Sequence, residues 1–251
     1  MITPSGKAVL GVDGCRGGWV GVLWSPDRVS IHVSTSLSVL IADCEGSPVS
    51  EGGLTRSAES LVELAVIGID MPIGLPDVGA RQADRLAQRF LGKRSSSIFV
   101  TPTRDACQLS TQQQVSERNR ELSGPGVSIQ AFHLLPKIRE VDQHLQSESP
   151  TSRSRFVEVH PELAFASLHG GPLQFSKRTM AGQVERLEIL AGVGLRIDPI
   201  PVVRRGVVEI DDVIDAAVVA GTAMRVLRGT AQCIPDPPET FSDGLPAAIW
   251  F

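Results

Sequence analysis

Hydrophobic and polar positions change their period several times along the chain. Residues 8–12 (Ala-Val-Leu-Gly-Val), 18–24 (Gly-Trp-Val-Gly-Val-Leu-Trp) and 29–35 (Val-Ser-Ile-His-Val-Ser-Thr) are short β-rich runs separated by Gly, Pro and Asp, and the third alternates. Connections this short predict an antiparallel meander, because parallel neighbours need a crossover of about a dozen residues or more. A polar, Gly/Ser-containing stretch over 43–57 and a short helical candidate at 58–64 then lead into residues 65–70 (Ala-Val-Ile-Gly-Ile-Asp), an apolar run with the character of a buried strand. This predicts a fourth strand, reached by a crossover.

Further on, Asp77 is placed to open a helix over 80–91, whose Ala83, Leu86, Ala87 and Phe90 have helical spacing. Residues 101–127, with Gln112 to Gln114 and Gly124-Pro125-Gly126, read as an irregular insertion, and a helix over 129–145 is weakened in its first half by Pro136. Residues 155–161 predict a fifth strand, Pro161 opens a helix that ends before Gly170-Gly171, and a further helix spans 180–191. The last long helix runs from Asp211 through Arg228 and carries Ala and Val on nearly every side, so burial is expected. The pattern is that of an α/β protein. It predicts three antiparallel strands followed by two parallel crossover strands, in one domain over 1–251 with a helical insertion at 77–154.

Composition narrows the function. Lys+Arg 24 against Asp+Glu 28 leaves a formal charge of −4, so any nucleic-acid surface has to be a local patch. Only Lys7, Lys93, Lys137 and Lys177 are lysines. Cys15, Cys44, Cys107 and Cys233 lie far apart without a C-x-x-C pair, which disfavours a zinc knuckle or a disulfide framework. No secretory leader and no apolar run of about 20 residues is read at the start or elsewhere, and a cytoplasmic protein without membrane contact is expected. Aromatic residues are only 4%, which argues against a stacking-based single-strand groove.

Acidic residues stand where they are costly. Asp13 ends the first apolar strand, Asp70 ends the fourth, and Asp212 and Asp215 share one face at the start of the last helix. Each has a plain structural reading as a turn, loop entry or cap, but half-buried carboxylates that converge repel one another unless a cation or proton lies between them. Arg81, Arg85, Arg89 and Lys93 recur every four residues and form one stripe. It reads either as a solvated face with Asp84 as counterion or as a surface that binds a polyanion. Lys137 and Glu140 read as a surface pair.

With these positions in view, the chain resembles a domain-of-unknown-function family described as predicted RNase H-like nucleases. The resemblance rests on Gly11-Val12-Asp13-Gly14-Cys15-Arg16-Gly17-Gly18-Trp19 and on Ile69-Asp70-Met71-Pro72-Ile73-Gly74-Leu75-Pro76. It extends to Arg81-x-x-Asp84, the segments 94–99 and 137–142, Glu158-Val159-His160-Pro161-Glu162 and Asp212-Val213-Ile214-Asp215-Ala216-Ala217. It implies an RNase H-like sheet and a metal-dependent nuclease in which Asp13, Asp70 and Asp215, with Asp212, hold one or two divalent ions. Magnesium or manganese suits oxygen ligands. On this reading Glu158 is a further ligand, or His160 a proton shuttle or substrate contact. Arg16 with its glycines faces phosphate, and the stripe from Arg81 to Lys93 grips the backbone of a nucleic acid.

Other classes stay open at this point. Actin-like and sugar-kinase-like phosphotransferases also place an Asp-Gly turn after strand 1, but they resemble two such cores, and Asp243-Gly244 follows the last helix. A non-catalytic nucleic-acid-binding module would be expected to lack one of the acids. A thiol hydrolase using Cys15 and His160 needs a proximity that no sequence pattern here fixes.

Overall fold

A computed structural model describes residues 7–46, 63–197 and 206–251. Most of the 58–64 helical candidate lies outside the described residues, as does the side chain of Lys93. Strand β1 (Lys7–Cys15) pairs antiparallel with β2 (Gly18–Trp24), and β2 with β3 (Val29–Ser34), so the meander forms as expected. Its first turn is only Arg16-Gly17 and depends on Gly18 at φ +134°, where a Cβ would stand 2.3 Å from the Ser34 carbonyl oxygen. Strand β4 (Glu63–Ile69) runs parallel to β1, and β5 (Phe156–Val159) parallel to β4.

Beyond the last helix lie two strands that the pattern does not reveal, β6 (Cys233–Thr240) and β7 (Pro246–Trp250). They complete a mixed seven-stranded sheet in the order β3-β2-β1-β4-β5-β7-β6. Strand β6 carries Pro235, Pro237 and Pro238, which cannot donate to a ladder, and it is tolerated because it lies at the edge.

Helices flank both faces. Helix α1 (Leu37–Cys44) was not expected, although Leu37, Leu40, Ile41 and Cys44 bury one stripe and the Ser36 side chain caps its start. Helix α2 (Gln82–Leu91) continues into a 3-10 turn over Gly92–Ser97, followed by the short α3 (Arg104–Cys107). The segment read as irregular contains α4 (Gln112–Ser123), which buries only Val115, Ser116 and Asn119, too few apolar positions to show a period. Helix α5 (Ile129–Ser147) runs straight through Pro136. The remaining helices are α6 (Pro150–Arg153), α7 (Pro161–His169), α8 (Met180–Gly192) and α9 (Ile210–Leu227).

One core packs Leu10, Val12 and Trp19 against α1 and α5, and the other packs Val9, Val20, Val22 and Val66 against α7, α8 and α9. Lys137 and Glu140 are not a surface pair. They lie on the inner side of α5, where Glu140 accepts hydrogen bonds from the Trp19 indole at 2.9 Å and from the Leu37 N–H at 2.6 Å. The Lys137 ammonium covers the Trp19 ring and donates to the Gly18 carbonyl.

The tightest packing is α9 on the sheet. Gly11 and Gly68 are register partners in β1 and β4. A Cβ on Gly11 would stand 2.1 Å from Ala220 N and 2.2 Å from the Ala216 carbonyl oxygen, and one on Gly68 would stand 2.8 Å from Val219 Cγ1. Glycine at this pair lets the helix lie against the strands. The obstacle at Gly11 is backbone, which cannot rotate away. Gly11→Ala is therefore expected to cost about 3 kcal/mol or more, read as a lower denaturant midpoint at unchanged slope. A midpoint equal to wild type would mean that α9 is seated elsewhere.

Candidate functional site

The same seating defines the site. Val12 pairs with Ile69, and the Asp70 N–H donates to the Val12 carbonyl at 2.9 Å, so Asp13 and Asp70 leave adjacent parallel strands side by side. Side chains alternate along a strand, which puts Asp13 on the face of Gly11 and Asp70 on the face of Gly68, both towards α9. Asp215 immediately precedes Ala216, the residue seated on Gly11, and is only 2% exposed. Three carboxyl groups from separate segments thus lie near enough, at the C-terminal edge of β1 and β4, for their charges to act on one another. A signal for this was present in the chain: Gly11-Val12-Asp13 and Gly68-Ile69-Asp70 repeat one pattern, a glycine that admits the helix and an aspartate two residues on.

Burial and mutual repulsion dominate the electrostatics. Desolvation, and then the charges of Asp70 and Asp215, hold the Asp13 carboxyl well above the usual carboxylate range. Asp70 is pushed up to about 7 by burial, against the pull of Lys177, and accepts a hydrogen bond from the Asp13 carboxyl. Asp215 is raised to about 6, again first by burial. Asp13 Oδ1 also accepts from the Gly14 N–H at 2.7 Å. Without an external cation the centre therefore retains protons near neutrality.

Sequence reasoning missed one member. Lys177, from the loop between α7 and α8, donates to Asp215 Oδ2 at 2.5 Å. Its charge also acts on Asp13 and Asp70, and the three acids in turn raise the ammonium well above the ordinary lysine value. A lone lysine in a polar loop carries no periodic signal, and only the fold brings it to the acids.

The other candidates divide. Glu158 pairs in register with Ile69, so it projects to the opposite side of the sheet from Asp70. There it is bound at both oxygens by Arg81, each contact 2.7 Å, and by the Ile73 N–H at 2.7 Å. Arg81 is accordingly no part of an exposed stripe. It is 1% exposed and also binds Asp84 at 2.6 Å and the Ile73 carbonyl at 3.0 Å. This buried knot ties β5 and α2 to the segment after Asp70. His160 adjoins the same region: burial lowers its pKa, Nε2 donates to the Ser97 carbonyl at 3.3 Å, and the buried Nδ1 has no partner. Asp70, Phe99, Thr101, Glu158 and His160 line a cavity of about 30 Å³, room for water and not for a nucleotide. Asp212 closes a capping box with Glu209 at the start of α9, its carboxylate accepting from the Glu209 N–H at 2.9 Å, and its charge also acts on Asp13, while Asp215 is the more deeply buried of the two. Arg16, Arg85 and Arg89 are exposed.

The donor set fits a hard cation in kind: all oxygen, with Asp215 Oδ1 buried and unpartnered. As the side chains stand, no three His, Cys, Asp or Glu among the described residues are arranged to hold an ion. Lys177 draws Asp215 to itself.

The chain matches the family described as "Protein of unknown function (DUF429)" over residues 11–240 and belongs to it. No curated protein and no solved structure matches it. Among the described residues no helix is long and apolar enough to cross a membrane.

Proposed function

We propose that this protein is a divalent-metal-dependent phosphodiesterase of RNase H-like fold, with a nucleic acid as substrate. The observation that carries the reading is the nearness of Asp13, Asp70 and Asp215, whose charges act on one another, with Asp215 Oδ1 buried and left without a partner. The strand order β3-β2-β1-β4-β5, with a helix carrying the third acid on β1, agrees with the plan implied by the resemblance. Asp13, Asp70 and Asp215 would hold Mg²⁺ or Mn²⁺, which when bound supplies positive charge to a phosphoryl oxygen and to an attacking water.

The chain's own residues set the rest. Gly14, Arg16 and Gly17 shape the turn beside Asp13 and offer a guanidinium at the exposed rim. The Arg81 knot fixes the segment following Asp70. The neutral His160 beside the small cavity stands where it can accept or hold the position of a proton at Nδ1. The 30 Å³ cavity excludes a whole nucleotide, so the phosphodiester approaches from the outer rim. Hydrolysis of single- and double-stranded DNA and RNA, measured with Mg²⁺, Mn²⁺ and chelator, tests the proposal. Cleavage that survives in both Asp13→Asn and Asp70→Asn would place the activity in another centre or another protein.

Arg85 and Arg89 remain the proposed backbone contacts, on the exposed side of a helix whose first turn, at Arg81 and Asp84, adjoins Asp70. Each phosphate contact removed lowers the magnitude of the log-log salt slope for duplex DNA by about 0.9. Arg85→Ala with Arg89→Ala is thus expected to flatten the slope by about 2 and to weaken binding. An unchanged slope and affinity would make this an ordinary solvated face.

A further inference from the structure

The loop that carries Lys177 is built to a degree that a surface loop does not need. Glu185 of α8 accepts from the N–H groups of Gln174 at 2.9 Å and Phe175 at 3.2 Å. Arg94 donates to the Leu173 carbonyl at 2.5 Å, and Arg186, itself fully buried, reaches the Phe175 carbonyl at 3.4 Å while pairing with Glu162 at 2.5 Å. Thr179 caps α8, and Gly182 completes the fit, because a Cβ there would lie 2.0 Å from the Ser176 carbonyl oxygen. Side chains from α8 and from the 3-10 turn hold a backbone whose product is one ammonium, 39% exposed, against a carboxylate that is 3% exposed. One oxygen of that carboxylate is taken by Lys177, and the other, Oδ1, is buried and unpartnered within the acidic centre.

We propose that Lys177 is a positioning residue of the centre, an internal cation that holds Asp215 in the metal-free protein and that a divalent ion displaces on binding. This rests on the reading of Asp13, Asp70 and Asp215 as a metal centre. The physical reason is repulsion: a divalent ion at the free Oδ1 would stand within a few ångströms of the ammonium held at Oδ2 of the same buried carboxylate, and two cations that close repel. It accounts for the absence, among the described residues, of a ready-made ligand arrangement. The carboxylates are gathered but are turned to a lysine.

Two measurements with Mn²⁺ as the probe decide the matter. In the wild-type protein, brief acetylation with acetic anhydride, mapped by mass spectrometry over the four lysines, should label Lys177 several-fold faster once Mn²⁺ is added. Lys7, paired with Glu63 at the surface, serves as the reference. In calorimetry, Lys177→Met should bind Mn²⁺ at least ~10-fold more tightly than wild type, and Lys177→Arg, which keeps the cation, should stay near wild type. Mn²⁺ binding with Lys177 labelling unchanged overturns the inference, as does equal or weaker affinity in a folded Lys177→Met protein, and either result leaves the metal centre standing. Failure of wild type and Lys177→Met alike to bind Mn²⁺ removes the metal centre itself, and the inference with it. Should the methionine variant not fold, the labelling of wild type decides alone.

Discussion

Asp13→Asn is expected to lower metal-dependent phosphodiester cleavage by about a thousandfold or more, equivalent to roughly 4 kcal/mol of transition-state stabilisation, while the metal-free protein stays as stable as wild type or becomes more so. The amide keeps an acceptor for the Gly14 N–H, which now donates to Asp13 Oδ1 at 2.7 Å. It also removes one of three carboxyls that burial and mutual repulsion hold above their usual range.

The pH dependence has a definite sign. A carboxyl whose folded pKa is raised keeps its proton in the native state after the unfolded chain has released its own, so its stabilising contribution is full below about 4 and is lost as pH rises through the folded value. With Asp215 at about 6 and Asp70 at about 7, the metal-free protein should melt several degrees higher at pH 5 than at pH 8. Asp13→Asn should flatten that slope, and bound Mn²⁺ should reduce it in wild type. Melting curves across this range check all three statements. A wild-type protein whose melting temperature climbs between pH 5 and 8, and still climbs when the same scan is run on Asp13→Asn, would show that the carboxyls are not desolvated as described.

The largest effect on stability is expected at Arg81. Its guanidinium satisfies both oxygens of Glu158, an oxygen of Asp84 and the Ile73 carbonyl, and all three side chains are 6% exposed or less. Arg81→Ala leaves two buried carboxylates without their arginine, a change of the kind that costs about 3–5 kcal/mol. Chemical denaturation should show a loss of that size. Any loss of metal-dependent cleavage should accompany it through the displaced Asp70 segment. A decrease below about 1 kcal/mol, the level of a surface pair, would mean that water enters the knot.

What could be read from the chain alone followed from local pattern. β3 alternates and α2 has helical spacing, β1, β2 and β4 show as short apolar runs bounded by turn residues, and α9 shows as a long run of Ala and Val, all of which survive without knowledge of neighbours. Helix α4 did not show, because polar Ser116 and Asn119 occupy two of its three buried positions. Helix α1 is only eight residues long, a brief period carried by Leu37, Leu40, Ile41 and Cys44, and β6 is hidden by three prolines that only an edge position permits.

For the site, the sequence determined which acids stand at the ends of strands and at the start of a helix, because a carboxylate after an apolar run is conspicuous in one dimension. Tertiary structure alone decided partnership. The ladder register turned Glu158 away from Asp70 and gave it Arg81, removing both from the roles their spacing suggested. The Gly11–Gly68 pair set the depth of α9 and so brought Asp215 rather than Asp212 to the strands. A loop more than a hundred residues from Asp70 in sequence delivered Lys177. Side-chain period marks the face of an element, but which faces meet, and whose charge answers whose, is settled by packing that brings distant segments within a few ångströms.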